Sequence, residues 1–110
     1  MHFTESILYQ RALELVDLSR EILADLPSGS GFLADQLRRA SASVTLNFAE
    51  GCGKESPADR RRYFRTARGS VYETRAICDV GERLGVVAAT KAARGRDLCG
   101  QLGAMLTRWR

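Results

Sequence analysis

Proline occurs only twice in the 110 residues, at Pro27 and Pro57, and no segment shows the strict alternation or the Val/Ile/Tyr run of a β-strand. The chain is therefore free to be helical almost throughout, and all-α is the class these absences point to. Cysteine is scarce as well. Cys52, Cys78 and Cys99 are odd in number, widely spaced and without a CxxC pair, which argues against a disulfide framework and against a zinc site. No histidine stands at a suggestive spacing from any of them, so the thiols read as small buried hydrophobes. The one histidine, His2, is terminal and reads as a disordered end. No run of 18 apolar residues occurs, and no basic segment followed by an apolar one opens the chain. The expectation is a soluble cytoplasmic protein with reduced thiols, no membrane partner, no metal and no cofactor. A glycine-rich phosphate loop is missing too. The stretch GCGKES, residues 51–56, has Gly, Lys and Ser without the Walker spacing and without a preceding strand.

Lysine is nearly absent, since 15 of the 17 basic residues are arginine. The net charge of +4 hides an uneven distribution. Residues 1–35 carry two bases against six acids, residues 36–70 eight against three, and residues 71–110 seven against four. Such a split suits either an anionic partner or an acidic face meeting a basic one in an oligomer.

Apolar periodicity predicts one domain, residues 1–110, of four helices near 5–26, 32–50, 57–84 and 88–109. In the first helix Leu8, Ala12, Leu15, Ser19, Ile22 and Leu26 keep a 4,3,4,3,4 spacing, with Val16 and Leu23 beside them and Thr4 as N-cap. The segment Pro27–Gly31 breaks it. The second helix ends at Gly51, which reads as a left-handed stop. The third opens on Ser56, Pro57 and Asp59, a cap with proline at the first position. Its inner face runs from Tyr63 and Phe64 to Gly81 and Leu84, and Gly85 stops it. Gly69 and Gly81 each weaken it by about 1 kcal/mol relative to Ala, and close helix approach is the expected compensation. Ala88, Ala92, Leu98, Cys99, Leu102, Met105, Leu106 and Trp109 form the seam of the fourth helix. Three short connections imply an antiparallel up-down-up-down bundle.

The second helix carries the most information. Leu33, Leu37, Ala40, Val44 and Phe48 line one side; Gln36, Ser43, Asn47 and Glu50, with Arg39 at the margin, form a polar stripe beside them. The far side holds Ser41, Ala42, Thr45 and Ala49, with no charge over the last three turns. A surface helix normally has a charged back, so this one is expected to be covered on more than one side, more than a lone subunit supplies. The polar stripe, with Ser70 and Glu73 opposite, reads as an internal network fixing register or an oligomer interface. It also reads as a pocket with Glu50 as acid or base, in the manner of small helical mutases that bind a dicarboxylate. The only lysines, Lys54 and Lys91, lie near loops, which argues against the enzyme.

The third helix opens with Arg60, Arg61, Arg62, Arg65 and Arg68 within nine residues. Arg61, Arg65, Arg68 and Tyr72 fall on one outward stripe with Arg75 and Arg83 near it. Cations in a first turn oppose the helix dipole, by about 0.3–1 kcal/mol each. The stripe suits phosphate contact, with Tyr72 placed to stack on a base. It equally suits pairing with the acids Glu14, Asp17, Glu21 and Asp25 of a neighbouring first helix.

The motif QLRRASASVTLNFAEG, residues 36–51, followed by a polar loop with Ser56 and a helix containing GSVYE, resembles the family called four helix bundle proteins, also known as the intervening-sequence proteins of large-subunit ribosomal RNA genes. The family pattern falls on Gln36, Leu37, Arg38, Arg39, Ala40, Ser43, Asn47, Ala49, Glu50 and Gly51, then Gly69, Ser70 and Glu73. Thr45 and Phe48 depart from it, where many members have proline and an aliphatic residue. The resemblance implies an antiparallel four-helix bundle assembling as a homopentamer. It also implies kinship with the accessory variability protein of diversity-generating retroelements, which binds a reverse transcriptase and nucleic acid. The function expected is that of a non-enzymatic oligomeric bundle binding RNA or DNA through the arginine stripe. The alternative is a protein-interaction scaffold.

Overall fold

Helical periodicity in the sequence becomes four helices in the computed structural model, which describes residues 2–109. A 3₁₀ turn at Phe3–Glu5 leads into α1 (Ile7–Asp25), α2 (Gly31–Cys52), α3 (Pro57–Arg83) and α4 (Ala89–Arg108). Each helix packs on its two neighbours around a ring: α1 on α2 and α4, α3 on α2 and α4. Side-chain pairs fix the directions. Arg94 reaches Glu21 while Arg11 reaches Gln101, so α1 and α4 run antiparallel. Gly51 faces Phe64 while Gly81 faces Leu33, so α2 and α3 do as well. The bundle measures 44 × 22 × 18 Å. Among the described residues no helix is long and apolar enough to cross a membrane.

The core follows the expected seams. Leu8, Ala12, Leu15 and Ile22 of α1, Leu37, Val44 and Phe48 of α2, and Phe64, Ala67 and Val71 of α3 are buried. They meet Ala92, Cys99, Leu102 and Leu106 of α4. Leu18, Gly95 and Gly103 join them although the seams omit them.

Several details differ from expectation. The N-cap of α1 is Ser6, whose Oγ accepts from the Tyr9 N–H at 3.1 Å, not Thr4. Thr4 lies inside the 3₁₀ turn because the chain first folds Phe3 back onto the rings of Tyr9 and Phe48, with centroids 5.3 and 6.1 Å away. His2 lies against the same turn, its ring Nδ1 2.9 Å from Thr4 Oγ1. Gly51 does not stop α2. The helix continues to Cys52 and is capped by Gly53 at φ −85°. Glycine is needed at 51 for approach: a Cβ there would stand 2.5 Å from Phe64 Cε1. Gly81 is likewise closed in, by Val87, whereas Gly69 is exposed with nothing near it, so no packing compensates that glycine. Gly85 does end α3, at φ +77°, with the Val86 N–H donating to Gly81 O at 3.0 Å. Leu84 and Ala88, expected inside, are exposed.

The uncharged back of α2 is covered differently from what its composition suggests. Ser41 and Thr45 are buried within the single chain, on the flank opposite the one that meets α3. What remains open is narrower: Leu46 is 67% exposed and Phe32 65%, with Ala42 and Ala49 half-buried.

Candidate functional site

Two sets of residues stood out in the sequence, and they end in different places. The polar stripe of α2 closes only in part. Ser43 Oγ lies 2.8 Å from Ser70 Oγ, and the Asn47 side-chain amide donates to Ser43 O at 2.9 Å and to its Oγ at 2.8 Å. These three side chains form a small satisfied link between α2 and α3. Gln36, Arg39 and Glu73 are exposed, with no hydrogen bond or ion pair among the described residues, and so stand outside it. Glu50 is exposed and ion-paired to Lys54 at 3.2 Å, which holds the Lys54 ammonium above its ordinary pKa. A solvated, salt-bridged glutamate is not the enclosed acid that the mutase reading requires.

The arginines of α3 instead meet the far end of α4. Ser56 Oγ accepts from the Asp59 N–H at 3.2 Å, and Pro57 starts the helix. That geometry sets the phase of everything downstream. Arg61, Arg65 and Arg68 line one wall of an open groove of about 990 Å³, and Arg108 lies across it on α4. Phe64, Leu106 and Trp109 also line it, the first two buried. Among the described residues no carboxylate does. Phe64 is backed by Phe48, with ring centroids 5.9 Å apart, and Trp109 stands edge-on to Phe48 at 5.1 Å. Arg68 spans the wall, donating to Thr107 Oγ1 at 3.2 Å.

The members of the cluster are not equivalent. Arg60 turns away from α3 and donates to the carbonyls of Cys52 at 3.0 Å and Lys54 at 3.2 Å, lying over the Phe64 ring. It thereby satisfies acceptors that the end of α2 leaves open. Arg62 sits over Tyr63 and 3.8 Å from Asp59. Arg75 is 3.6 Å from Asp79, which also takes Arg96 at 3.3 Å. Arg75 therefore lies outside the groove and already has a carboxylate. Tyr72 is 60% exposed, further along the α3–α4 seam beside Gly103. Arg61 and Arg65 have no ion-pair partner among the described residues. Arg108 and Trp109 were missed in the sequence because they are nearly 50 residues from the cluster; only the antiparallel pairing of α3 and α4 brings them in.

The acids of α1 are engaged elsewhere. Glu14 pairs with Arg11 at 2.6 Å, Asp17 with Arg20 at 3.8 Å, Glu21 with Arg94 at 3.2 Å and Asp25 with Lys91. The thiols offer no nucleophile near neutral pH. Burial pushes Cys78 up to about 11 and Cys99 up to about 12, and raises Cys52 despite the nearby Arg60 charge and a hydrogen bond from Trp109. Among the described residues no group of His, Cys, Asp and Glu is placed to hold a metal ion.

A crystal structure of a protein of unknown function from the S23 ribosomal protein family of Bacteroides thetaiotaomicron superposes with a TM-score of 0.83 at 16% identity, covering 91% of this chain and 94% of that one. That likeness shows the fold. No curated protein sequence matches significantly. The sequence profile described as 23S rRNA-intervening sequence protein matches residues 4–108, that is, all four helices and both walls of the arginine groove, and the chain belongs to that family.

Proposed function

We propose that this protein is a non-enzymatic nucleic-acid-binding bundle that holds the phosphates of RNA or DNA in the groove between the start of α3 and the end of α4. The observation that carries this reading is the lining: Arg61, Arg65, Arg68 and Arg108 converge on one concavity that, among the described residues, no carboxylate lines. Guanidinium groups bind phosphate bidentately and remain charged at any working pH. Binding of this kind neutralises backbone charge and is largely independent of sequence. The scaffold reading, in which these arginines pair with the α1 acids of a second subunit, is weakened because Glu14, Asp17, Glu21 and Asp25 already have basic partners within the chain. Association of subunits belongs to the same proposal, with the pentamer as the state implied by the family. Exposed Leu46 and Phe32 on α2 support it, and repetition of one weak groove around a ring raises avidity without new contacts. A nucleic-acid enzyme is the kind of protein partner such a ring would serve.

The test is a mobility-shift titration of the wild type and the Arg61→Glu/Arg65→Glu/Arg68→Glu variant, with solution mass measured on both. Loss of binding with the mass unchanged supports the groove. A variant that binds as before, or one whose assembly collapses while the wild type never bound, removes the reading.

A further inference from the structure

From the shape and floor of the groove we infer that its ligand is an unpaired strand, with bases stacked on Trp109 and Tyr72 while phosphates lie against the arginines. The inference rests on the proposal above and adds the strand form. A duplex presents phosphates on its outside and keeps its base faces stacked inside. A flat basic surface suffices for it, and an aromatic floor does nothing for it. Here the floor is apolar: Phe64 and Leu106 close it from below, and Trp109, half-buried, forms part of its lining. Single strands are held by the combination of a cationic track and aromatic faces, because every base has a π-face whatever the sequence.

The second aromatic residue extends the track. Tyr72 is 60% exposed on the same seam, where its ring edge lies 3.6 Å from the site a Cβ on Gly103 would take. That distance is ordinary van der Waals contact, so the ring lies alongside α4 without pressing on it. Six residues of α4 separate Gly103 from Trp109, about 9 Å along the bundle at 1.5 Å per residue. Arg68 and Thr107 bridge the seam between the two aromatics. Tyr72, Arg68 and Trp109 thus succeed one another along the crevice, with Arg65 and Arg61 towards the start of α3, which matches a strand running along the bundle axis better than one crossing it.

Trp109 is the only tryptophan in the chain, so its emission reports on the site directly. The experiment titrates the protein with three probes of equal length: oligothymidylate, which forms no internal pairs; a duplex; and an abasic strand with the same phosphates. Oligothymidylate should quench Trp109 and bind more tightly than the other two, by roughly 5- to 150-fold if one base stacks. Tyr72→Ala, on a side chain outside the core, should weaken oligothymidylate and leave the abasic strand unaffected. Trp109→Ala should do the same, but it also removes a ring from Phe48, so Tyr72→Ala is the deciding variant. Equal affinity for duplex and single strand, or binding without change in Trp109 emission, overturns the stacked-strand inference and leaves phosphate binding standing. Absence of binding to all three overturns both.

Discussion

Removing two arginines should have opposite consequences depending on which two are chosen, although the net charge changes equally. Arg61 and Arg65 line the groove without an ion pair among the described residues, whereas Arg62 and Arg75 are held by Asp59 and Asp79 and lie off it. Each phosphate neutralised contributes about 0.7 (single strand) to 0.9 (duplex) to the slope of log affinity against log salt. Of the five arginines that line the groove, Arg60 is held by the carbonyls of Cys52 and Lys54, and the other four, 61, 65, 68 and 108, give the wild type a slope of about −3 per subunit. A fourfold rise in salt then weakens binding about 60-fold. Arg61→Ala/Arg65→Ala should flatten the slope by about 1.5, while Arg62→Ala/Arg75→Ala should leave it unchanged. Both pairs are exposed or partly exposed side chains, so neither variant is expected to unfold the bundle. Fluorescence anisotropy with a labelled strand over a salt series measures the slopes. If the two variants lose slope equally, binding is a response to overall positive charge, and the groove has no special part in it.

Three further outcomes test the packing that builds the site. Thr45 Oγ1 is buried with no hydrogen-bond partner among the described residues, while Ser41, Thr66, Thr74 and Thr107 each donate to the carbonyl four residues back. Thr45→Val should therefore raise stability by about 1–2 kcal/mol in a denaturant midpoint, and a loss would show that the hydroxyl is satisfied in solution. Gly69→Ala, in open space, should stabilise by about 1 kcal/mol. Gly51→Ala gains the same propensity but displaces the Phe64 ring, and should melt below Gly69→Ala by the equivalent of about 1–3 kcal/mol. The buried thiols of Cys78 and Cys99 hold their protons more tightly folded than unfolded. Their stabilising effect is complete below the ordinary thiol value of 9.0 and is lost as pH rises towards about 11 and 12. Stability should fall across that window, and fall less in Cys78→Ala/Cys99→Ala; equal alkaline loss in both proteins would contradict the burial.

What could be read from residue order alone depended on how local the cause was. Seams set by 3.6-residue periodicity, such as Leu8 to Ile22 and Phe64 to Ile77, are local, and the structure buries them as the spacing implies. The Ser56–Pro57 start of α3 is local for the same reason. Glycine is the instructive failure. Gly51, Gly69 and Gly81 look alike in sequence, yet Gly51 admits Phe64, Gly81 admits Val87 and Gly69 admits nothing. Which neighbour arrives is a tertiary fact. The groove was half legible in the same way: its α3 wall is a visible run of arginines, and its α4 wall, Arg108 and Trp109, has no sequence mark linking it to them. The polar stripe of α2 was over-read because a helical wheel shows which residues share a side but not how far a neighbour reaches. Among the described residues the stripe's one hydrogen bond to α3 is Ser43 to Ser70, which Asn47 supports from within α2.

Helix polarity separates the arginines that the fold uses from those it leaves over. At this end of the bundle α3 begins, with its positive dipole end, while α2 and α4 finish, with their negative ends. Cations beside the last turns of α2 and α4 are favourable. Arg60, bonded to the carbonyls of Cys52 and Lys54, takes the first of these positions, and Arg108, in the last turn of α4, takes the second. Both have a structural reason to be where they are. Arg61 and Arg65 have none. They sit in the second and third turns of α3, past the first turn over which the dipole acts, and the one first-turn acid, Asp59, is engaged by Arg62. An anion in the groove supplies the partner they lack, because it meets both guanidinium groups together. The two residues that contribute least to the folded chain are thus the two that a bound phosphate would contact most favourably, and their removal should cost binding without costing stability.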